Sequence, residues 1–453
     1  MLDGAPGNLD INDLLAKVVC NVSSRECMVH RCDVCPGASS LSTYLSDHFA
    51  SHDYSEEDVV TYRQWVHVDR DELITSVCNV KEYIEKLTDA VDQLTTHHYI
   101  AKAQGRYYKQ VKENLTDSQA LVTLDFAENY TFLIQDAIQG FHWNNDQATL
   151  HPFSIYNKGS HYSFCVFSDH QKHVNDVVYT FLKAVLARVK QDLPHIDEIV
   201  YFSDGAGSQY KNFKNFNNLM HHSEDFGIKA SWNFYATSHG KNTCDGIGGT
   251  VKRLASRHSL QGNMIKTAQD LFTFCNDSIH SVTSIYVPSR EVVEQSKLLE
   301  SRHSGAPKVP GCRDAHRFVP VGNMLEVYTV SEDETPLTHV SYQSSSLAPS
   351  SSETPIYNMG MYVAVWYDGK WWIGMVSDYD VEQDDYKIKF MHPSGTKQKT
   401  GFYWPSPRDD QCWVIRDHII CEVKTLKTQQ GRTFQLDPSE VSRVKDIVTK
   451  IDK

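Results

Sequence analysis

Apolar residues in the middle of the chain form short runs, and two of these runs end beside an aspartate. Residues 120–126 are apolar except for Thr123 and Asp125, and the apolar run 199–202 leads directly into Ser203 and Asp204. Short apolar runs bounded by polar residues are typical of buried strands. The pattern predicts strands near residues 120–127, 132–138, 161–168, 197–203 and 229–236.

Other segments carry their apolar residues at helical spacing. Residues 170–191 repeat apolar positions every three to four residues, which predicts a helix between the third and fourth strands. Helix is also predicted from Val80 to Lys112 and over most of 272–301. Residues 331–354 are rich in Ser, Thr, Glu and Pro and poor in apolar residues, so they are predicted to form a flexible linker.

The part of the chain after this linker is rich in tryptophan. Five of the eight tryptophans lie between Tyr357 and Val423, within short runs typical of strands. Their order resembles that of the small SH3-like and Tudor-like β-barrels of chromatin and peptide readers. Its aromatic residues would form a cage or groove for a peptide or chromatin ligand, or else fill the core of the barrel. These residues are Trp366, Tyr367, Trp371, Trp372 and Trp404.

These patterns predict an α/β protein with smaller regions on both sides of its core. A mixed sheet with flanking helices follows a Cys-rich helical region and precedes the small barrel. The predicted regions are 1–117 (Cys-rich and helical), 118–260 (α/β core), 261–330 (helical extension), 331–356 (linker), 357–425 (barrel) and 426–453 (C-terminal tail).

The overall charge limits the classes of partner. A formal net charge of -13 argues against a protein that coats nucleic acid with a uniformly basic surface. Residues 205–258 are locally basic, with seven Lys and Arg against three acids. No long apolar span or signal peptide is visible, so the sequence predicts an intracellular protein of the nucleus or cytoplasm that is neither secreted nor bound to a membrane.

The aspartates at the strand ends indicate a cation site. A carboxylate beside the end of a buried strand is costly unless it is hydrogen-bonded or binds a cation. Asp125 and Asp204 both have this position, and Asp245 follows at the glycine-rich start of a predicted helix. Mg²⁺ or Mn²⁺ suits such a set, because these ions prefer carboxylate and water ligands.

The arrangement of these acids resembles the RNase H-like core of DDE/D transposases and retroviral integrases. In that family the first two acids lie on neighbouring parallel strands and the third lies on or near a following helix. The resemblance covers about residues 118–260. Segments 27–36, 203–212 and 239–253 also resemble uncharacterised transposon-derived proteins of invertebrate genomes. The third acid is an aspartate where many transposases carry glutamate, and Glu128 is a competing ligand.

The resemblance implies an enzyme that cuts and joins DNA. Asp125, Asp204 and Asp245 would bind two metal ions, and His239 would position water or the scissile group. The DNA partners would be the transposon ends and the target. The resemblance also allows assembly into a homo-oligomer. Alternatives are a nuclease without strand transfer and a catalytically silent DNA- or chromatin-binding protein. The residues expected to contact DNA phosphate are Lys211, Lys214, Lys241, Lys252 and Arg253.

Four cysteines near the N-terminus form a second candidate metal site. Their number suits tetrahedral zinc, and His30 is a substitute ligand. A redox-active pair and buried free thiols are the alternatives. The four are Cys20, Cys27, Cys32 and Cys35.

Overall fold

Two units make up the described chain in the computed structural model. The first comprises Met1–Asn114, Phe234–Lys241 and Val330–Glu332, and the second comprises Leu115–Asn233, Asn242–Thr329 and Asp333–Lys453. The structure describes residues 1–453 except 31, 68–70, 134–146, 238, 241, 310, 343–356, 368–369, 381–384, 394–400, 406–410, 425, 430–432 and 452–453. None of the helices in these described ranges is long and apolar enough to cross a membrane.

The first unit combines helices with a two-stranded hairpin. Its elements are α1 (Ile11–Val18), α2 (Arg25–Met28), α3 (Gly37–Ser51), β1 (Val59–His67), β2 (Asp71–Asn79) and α4 (Val80–Glu113). The helix predicted from Val80 is confirmed, and the Asn79 side chain caps it by accepting the Glu82 N–H at 2.8 Å. The helical prediction for this region does not hold at β1 and β2, where β-branched residues such as Val60 and Ile74 favour an antiparallel pair.

A buried glutamine joins three segments of the first unit. The Gln104 side chain donates to the Phe234 carbonyl at 2.7 Å and to the Ser331 hydroxyl at 2.8 Å. It also accepts the Ser331 backbone N–H at 2.8 Å. The second half of α4 is thereby bonded to residues that are distant in sequence.

A ten-stranded sheet forms the centre of the second unit. Its strands run in the order β12-β11-β10-β8-β7-β3-β5-β6-β9, and β4 pairs with β5. The strands are β3 (Gln119–Leu124), β4 (Ala127–Thr131), β5 (Gln147–Asn157), β6 (Ser160–Ser168), β7 (Glu198–Ser203), β8 (Lys229–Phe234), β9 (Thr283–Tyr286), β10 (Arg317–Val321), β11 (Met324–Tyr328) and β12 (Thr338–Ser341). Around them lie α5 (Asn175–Asp192), α6 (Phe213–Met220), α7 (His222–Phe226), α8 (Thr243–Leu260), α9 (Ala268–Ser278) and α10 (Ser289–His303).

The two central strands are parallel. In β3 and β7 the register pairs Thr123 with Phe202, so both strands reach their carboxyl ends at the same edge of the sheet. The next strand, β5, runs antiparallel to both β3 and β6. The predicted strand near 132–138 is wrong at residues 132 and 133, which are not in a strand, and its remainder lies outside the described residues.

The linker and extension predictions need correction. The region 261–330 contains α9 and α10 as expected, but it also contributes β9 and the β10–β11 hairpin. Residues 338–341 of the predicted linker form β12, which pairs with β11. The rest of that linker, from residue 343, lies outside the described residues. Polar composition therefore did not exclude an edge strand, because such a strand buries only part of its surface.

The C-terminal part of the second unit is a curled antiparallel sheet. Its elements are β13 (Tyr362–Tyr367), β14 (Lys370–Asp380), β15 (Asp385–Pro393), β16 (Gly401–Tyr403), β17 (Gln411–Ile415), β18 (Ile419–Glu422), β19 (Leu426–Gln429), β20 (Thr433–Leu436) and α11 (Pro438–Ile451). The predicted tail thus supplies two strands and a helix. At Gly374 a Cβ atom would lie 2.7 Å from the Lys389 carbonyl oxygen, so only glycine allows β14 and β15 to approach this closely.

One arginine, in the segment between α10 and β10, attaches that segment to this sheet. The Arg313 guanidinium donates to Asp385 at 2.8 Å and also to Asp380. It lies 4.4 Å from the centroid of the Trp413 ring. Asp385 is buried, so this ion pair satisfies a carboxylate that would otherwise be costly in the core.

Candidate metal centres

The first candidate centre lies at the edge where β3 and β7 end. Asp125 and Asp204 each follow the paired residues Thr123 and Phe202 by two positions, so the parallel register places them side by side. Both side chains are half-buried. One Asp204 oxygen accepts the Ala206 N–H at 3.1 Å, which fixes the start of the loop after β7. The structure therefore brings together the two strand-end acids that the sequence singles out.

The third predicted acid begins α8 as part of a capping box. The Asn242 side chain accepts the Cys244 N–H at 2.7 Å, and Asp245 in turn accepts the Asn242 N–H at 2.9 Å. Asp245 is exposed. Its carboxylate thus satisfies a free backbone N–H at the helix start while its remaining lone pairs face solvent.

Two contacts fix the start of α8 against the sheet. The Cys244 thiol donates to the Thr123 carbonyl of β3 at 3.3 Å. The Thr243 hydroxyl lies 3.0 Å from the Tyr156 hydroxyl of β5. Because Thr123 precedes Asp125 by two residues, these contacts bring the Asp245 end of α8 to the edge that carries Asp125.

A glycine in α8 allows the helix to pack closely on the sheet. A Cβ atom on Gly248 would lie 3.0 Å from the Ala127 Cβ and 3.6 Å from the Pro152 side chain. Gly246 and Gly249, by contrast, have no atom within 4 Å of an added Cβ. Only at Gly248, of these three glycines, does the helix backbone lie close to the sheet.

The acids at this edge influence one another electrostatically. Burial, the charge of Asp204 and the charge of Asp245 together raise the pKa of Asp125 to about 7. Burial also raises the pKa of Asp204. The charges that act on Asp125 are therefore themselves negative, and a bound cation would relieve both the desolvation and the repulsion.

An aromatic stack lies directly behind Asp125. The Phe126 ring lies between two imidazoles, with centroid distances of 4.0 Å to His151 and 4.2 Å to His173. His151 is fully buried, and burial lowers its pKa well below the usual value, so the ring is neutral. Its Nε2 atom lies 2.8 Å from the Tyr210 hydroxyl. Burial and the nearby charges of Asp125 and Asp204 raise the pKa of Tyr210.

Sequence reasoning missed the His151–Tyr210 pair. His151 lies in β5, which the sequence patterns did not predict. Pro152 interrupts this run, and proline within an apolar run argues against a strand. Tyr210 lies six residues after Asp204 in a polar loop that carries no strong aromatic signal. A buried tyrosine so near the acids would be detectable only from the fold.

The predicted phosphate contacts have different environments. Lys252 forms an ion pair with Glu128 at 3.6 Å, and Glu128 is highly exposed, so it lies on the surface instead of among the strand-end acids. Arg253 is exposed on α8, and Lys214 is half-buried. Lys241 lies outside the described residues.

Lys211, which the sequence predicts to contact DNA, is buried in the structure. The side chain is only 9% exposed, and its Nζ donates to the Arg313 carbonyl at 2.7 Å. Desolvation lowers its pKa to about 8. His239 belongs to the first unit, where its ring centroid lies 5.0 Å from that of His97, whereas the three aspartates belong to the second.

The second candidate centre is the cysteine cluster of the first unit. Measured from the Cys20 sulfur, the sulfurs of Cys27, Cys32 and Cys35 lie at 3.4, 3.8 and 3.7 Å. Tetrahedral Zn–S bonds of about 2.3 Å would separate the sulfurs by about 3.8 Å. The spacing and the donor set therefore fit a zinc ion. His30 is not part of the cluster and lies 4.0 Å from Asp92.

The two centres differ in how closely their ligand atoms meet. Among the described residues, the four cysteines form the group of three or more metal-binding side chains whose ligand atoms all lie within 4.8 Å of one another. The three aspartates do not form such a group. The cysteine cluster thus has the ligand spacing of a single-metal site.

The predicted aromatic cage is largely occupied by the protein itself. Trp371 and Trp404 pack against one core cluster of the C-terminal sheet, and Trp372 packs against another. The Lys389 ammonium lies 5.1 Å from the Trp404 ring centroid. Trp366 pairs with Trp371 across β13 and β14, and the Tyr367 side chain lies outside the described residues. These contacts agree with the alternative that the aromatic residues fill a core.

Together these features define a mixed α/β protein with an acidic sheet edge and a cysteine cluster able to bind a metal ion. The chain belongs to the family described as domain of unknown function DUF8701, whose model matches residues 104–331 and so includes all three aspartates. A second family model, domain of unknown function DUF8700, matches residues 5–95, which contain the four cysteines. No curated protein and no solved structure matches the chain.

Proposed function

We propose that this protein is a metal-dependent phosphodiester-cleaving enzyme of the DDE/D transposase type that acts on DNA through Asp125, Asp204 and Asp245. The observation that carries the proposal is the position of Asp125 and Asp204 at the ends of neighbouring parallel strands, with the pKa of Asp125 raised to about 7 by burial and by the other two acids. Carboxylates that destabilise one another in this way are typical of sites that bind a cation.

The order of elements supports the same proposal. Asp125 directly follows β3, and β4, the β5–β6 hairpin and α5 come next. Asp204 directly follows β7, and α6, α7 and β8 then lead to α8, whose first turn carries Asp245. This is the order that the resemblance to an RNase H-like core implies. The docking of α8 through Cys244 and Gly248 gives a physical reason why the third acid lies near the first.

The residues of the site have separable roles in this mechanism. Asp125 and Asp204 would hold Mg²⁺ or Mn²⁺, and a bound ion supplies Lewis-acid charge to the phosphodiester and to its attacking and leaving oxygens. The Phe126 stack and the buried His151–Tyr210 pair exclude water from behind the carboxylates. Lys252 lies seven residues after Asp245, about two helical turns, and so presents a cation on the same face of α8.

The exposed partner of Lys252 makes this cation available to DNA. Its ion pair with Glu128 spans 3.6 Å at the surface, where such pairs contribute roughly 0 to 1 kcal/mol. A phosphate oxygen can therefore replace Glu128 at little cost. Arg253 is exposed beside it.

We further propose that the four cysteines bind structural zinc. A site with four protein ligands leaves no position for substrate, so the ion would stabilise the first unit and take no part in the reaction. Cys27 is buried within the same core cluster as α3 and α4, which links metal binding to the packing of this unit.

Cleavage of labelled oligonucleotides in Mg²⁺ or Mn²⁺ tests the enzymatic proposal. The wild-type chain should cut DNA, and Asp204→Asn should reduce the rate by at least about a hundredfold, since loss of even an outer-sphere partner costs about 10- to 100-fold. Asp197→Asn is a matched control, because Asp197 is exposed beside the opposite end of β7.

The products separate the alternatives. Joining of the cut end to a second duplex would show a transposase, and hydrolysis alone would show a nuclease. DNA binding with no cleavage in either metal, unchanged by Asp204→Asn, would contradict the proposed enzyme and favour a silent DNA-binding protein.

A further inference from the structure

The charge of α4 changes sharply along its length. Residues 80–92 contain four acids and two lysines, whereas residues 93–112 contain four Lys and Arg and no acid. Two histidines and three tyrosines, Tyr99, Tyr107 and Tyr108, lie among these cations. In a chain with a net charge of -13, such a basic and aromatic half-helix is a distinctive local feature.

A cavity lies beside this basic half of α4. It has a volume of about 400 Å³, and all of its lining residues belong to the first unit. His98, Lys102 and Arg106 line it from α4, where their spacing of four residues places them on one helix face. Tyr99 adds an aromatic ring, and Asn12 and Ser23 add an amide and a hydroxyl from segments outside α4.

The lysine in this cavity differs from other lysines of the helix. Lys86 lies 3.7 Å from Glu82, and Lys109 lies 3.8 Å from Glu113. Lys102 is exposed and forms no ion pair with any residue that the structure describes. Among the described residues, therefore, no carboxylate neutralises the Lys102 ammonium.

The neighbouring groups complete a site for an anion. Arg106 forms a two-pronged ion pair with Glu332 at 3.0 and 2.9 Å, which holds the arginine in place at the edge of the cavity. Burial lowers the pKa of His98, and the charge of Lys102 lowers it further. A neutral His98 offers one N–H donor, and an anion bound to Lys102 would accept it.

We propose that this cavity binds a backbone phosphate of a nucleic-acid strand at Lys102 and His98. The choice of nucleic acid rests on the function proposed above. A volume of about 400 Å³ suits a group larger than a free anion. The basic half-helix continues to Lys112, and its twenty residues span about 30 Å, enough to follow several phosphates.

Fluorescence anisotropy with labelled single- and double-stranded oligonucleotides tests this site in the full chain. Measurements without added Mg²⁺ or Mn²⁺ avoid cleavage. Lys102→Ala should weaken binding about 5- to 10-fold and reduce the slope of log affinity against log salt by about 0.7 to 0.9, the value of one phosphate contact. Lys86→Ala is the matched control, because Lys86 lies on the same helix outside its basic half, and it should change affinity less than about twofold.

Three outcomes are decisive. Equal affinities for Lys102→Ala and Lys86→Ala, with both variants folded by circular dichroism, would overturn the site. Binding of inorganic phosphate that depends on Lys102, without any effect on oligonucleotides, would overturn the nucleic-acid assignment. An effect of Lys102→Ala in the Asp125→Asn/Asp204→Asn background would support the site even if no cleavage is ever detected, so failure of the enzymatic proposal remains distinguishable.

Discussion

At Asp125, burial and two neighbouring carboxylates shift the proton equilibrium in the same direction. The folded pKa of about 7 exceeds the ordinary value of 3.8, so the folded chain holds a proton that the unfolded chain releases. The stabilisation by this proton is complete below pH 3.8 and is lost as the pH rises through 7. At neutral pH, ionised Asp125 therefore destabilises the fold when no cation is bound. A bound cation would remove this cost, and the recovered free energy would strengthen its binding.

This linkage predicts how stability depends on pH. Between pH 5.5 and 8, we expect the metal-free wild type to lose about 1 to 2 kcal/mol of unfolding free energy relative to Asp125→Asn. Saturating Mg²⁺ should restore this loss in the wild type and leave Asp125→Asn unchanged. Urea unfolding at a series of pH values measures both effects. Parallel pH curves for the two proteins would contradict the raised pKa, and Asp197→Asn controls for simple loss of an acid.

At the level of elements, the position of α8 depends on the absence of one side chain. The helix approaches β4 and β5 where Gly248 faces Ala127, and the same packing brings the first turn of α8 to the end of β3. Gly249, the next residue, is exposed and has open space around it. Two adjacent glycines of one helix thus have opposite tolerance for a side chain.

Paired substitutions at these glycines test the close packing. Gly248→Val should cost about 1 to 3 kcal/mol by overpacking and should displace Asp245. Gly249→Val should be neutral or stabilising by a few tenths of a kcal/mol, because valine favours helix more than glycine does. Denaturant midpoints measure the difference. Equal midpoints for the two variants would show that the helix does not depend on this approach.

The elements of the fold differ in how well patterns in the sequence could predict them. Strong periodicity predicted α4, α5 and the strands β3 and β7, because each buries a continuous apolar face. The patterns failed at β5, where Pro152 interrupts the run, and at β12, whose polar residues lie at a sheet edge. The positions of Asp125 and Asp204 followed from strand ends, whereas the pairing of Tyr210 with His151 depends on long-range contacts. Burial of Lys211 was likewise invisible, since lysine is usually exposed.

At the scale of the whole molecule, metal binding at the cysteine cluster would determine the stability of the first unit. The four sulfurs come from one short stretch of chain, and Cys27 and Met28 belong to the core cluster that α3 and α4 share. So short a segment buries little apolar area of its own. A metal ion bound at this position would supply folding free energy that this small buried area does not provide.

Metal analysis of protein purified under reducing conditions tests the cluster. We expect about one zinc per chain, lost in Cys27→Ser together with several kcal/mol of stability in the first unit. Cys78→Ala is the control, because Cys78 is buried in the same core but lies outside the cluster. Zinc content that is equal in Cys27→Ser and wild type would exclude the four-cysteine site.

The bonds of Gln104 have a consequence during synthesis on the ribosome. Gln104 and its partner Ser331 are separated by 227 residues, so the second half of α4 emerges long before its partner exists. At translation rates of roughly 5 to 20 residues per second, this interval lasts about 10 to 45 seconds. Phe234 is made 130 residues after Gln104, and until Ser331 follows, the nascent helix end must remain accessible to water or to a chaperone. The first unit can therefore complete the hydrogen bonds of Gln104 only after residues 115–233 and 242–329 of the second unit have been made.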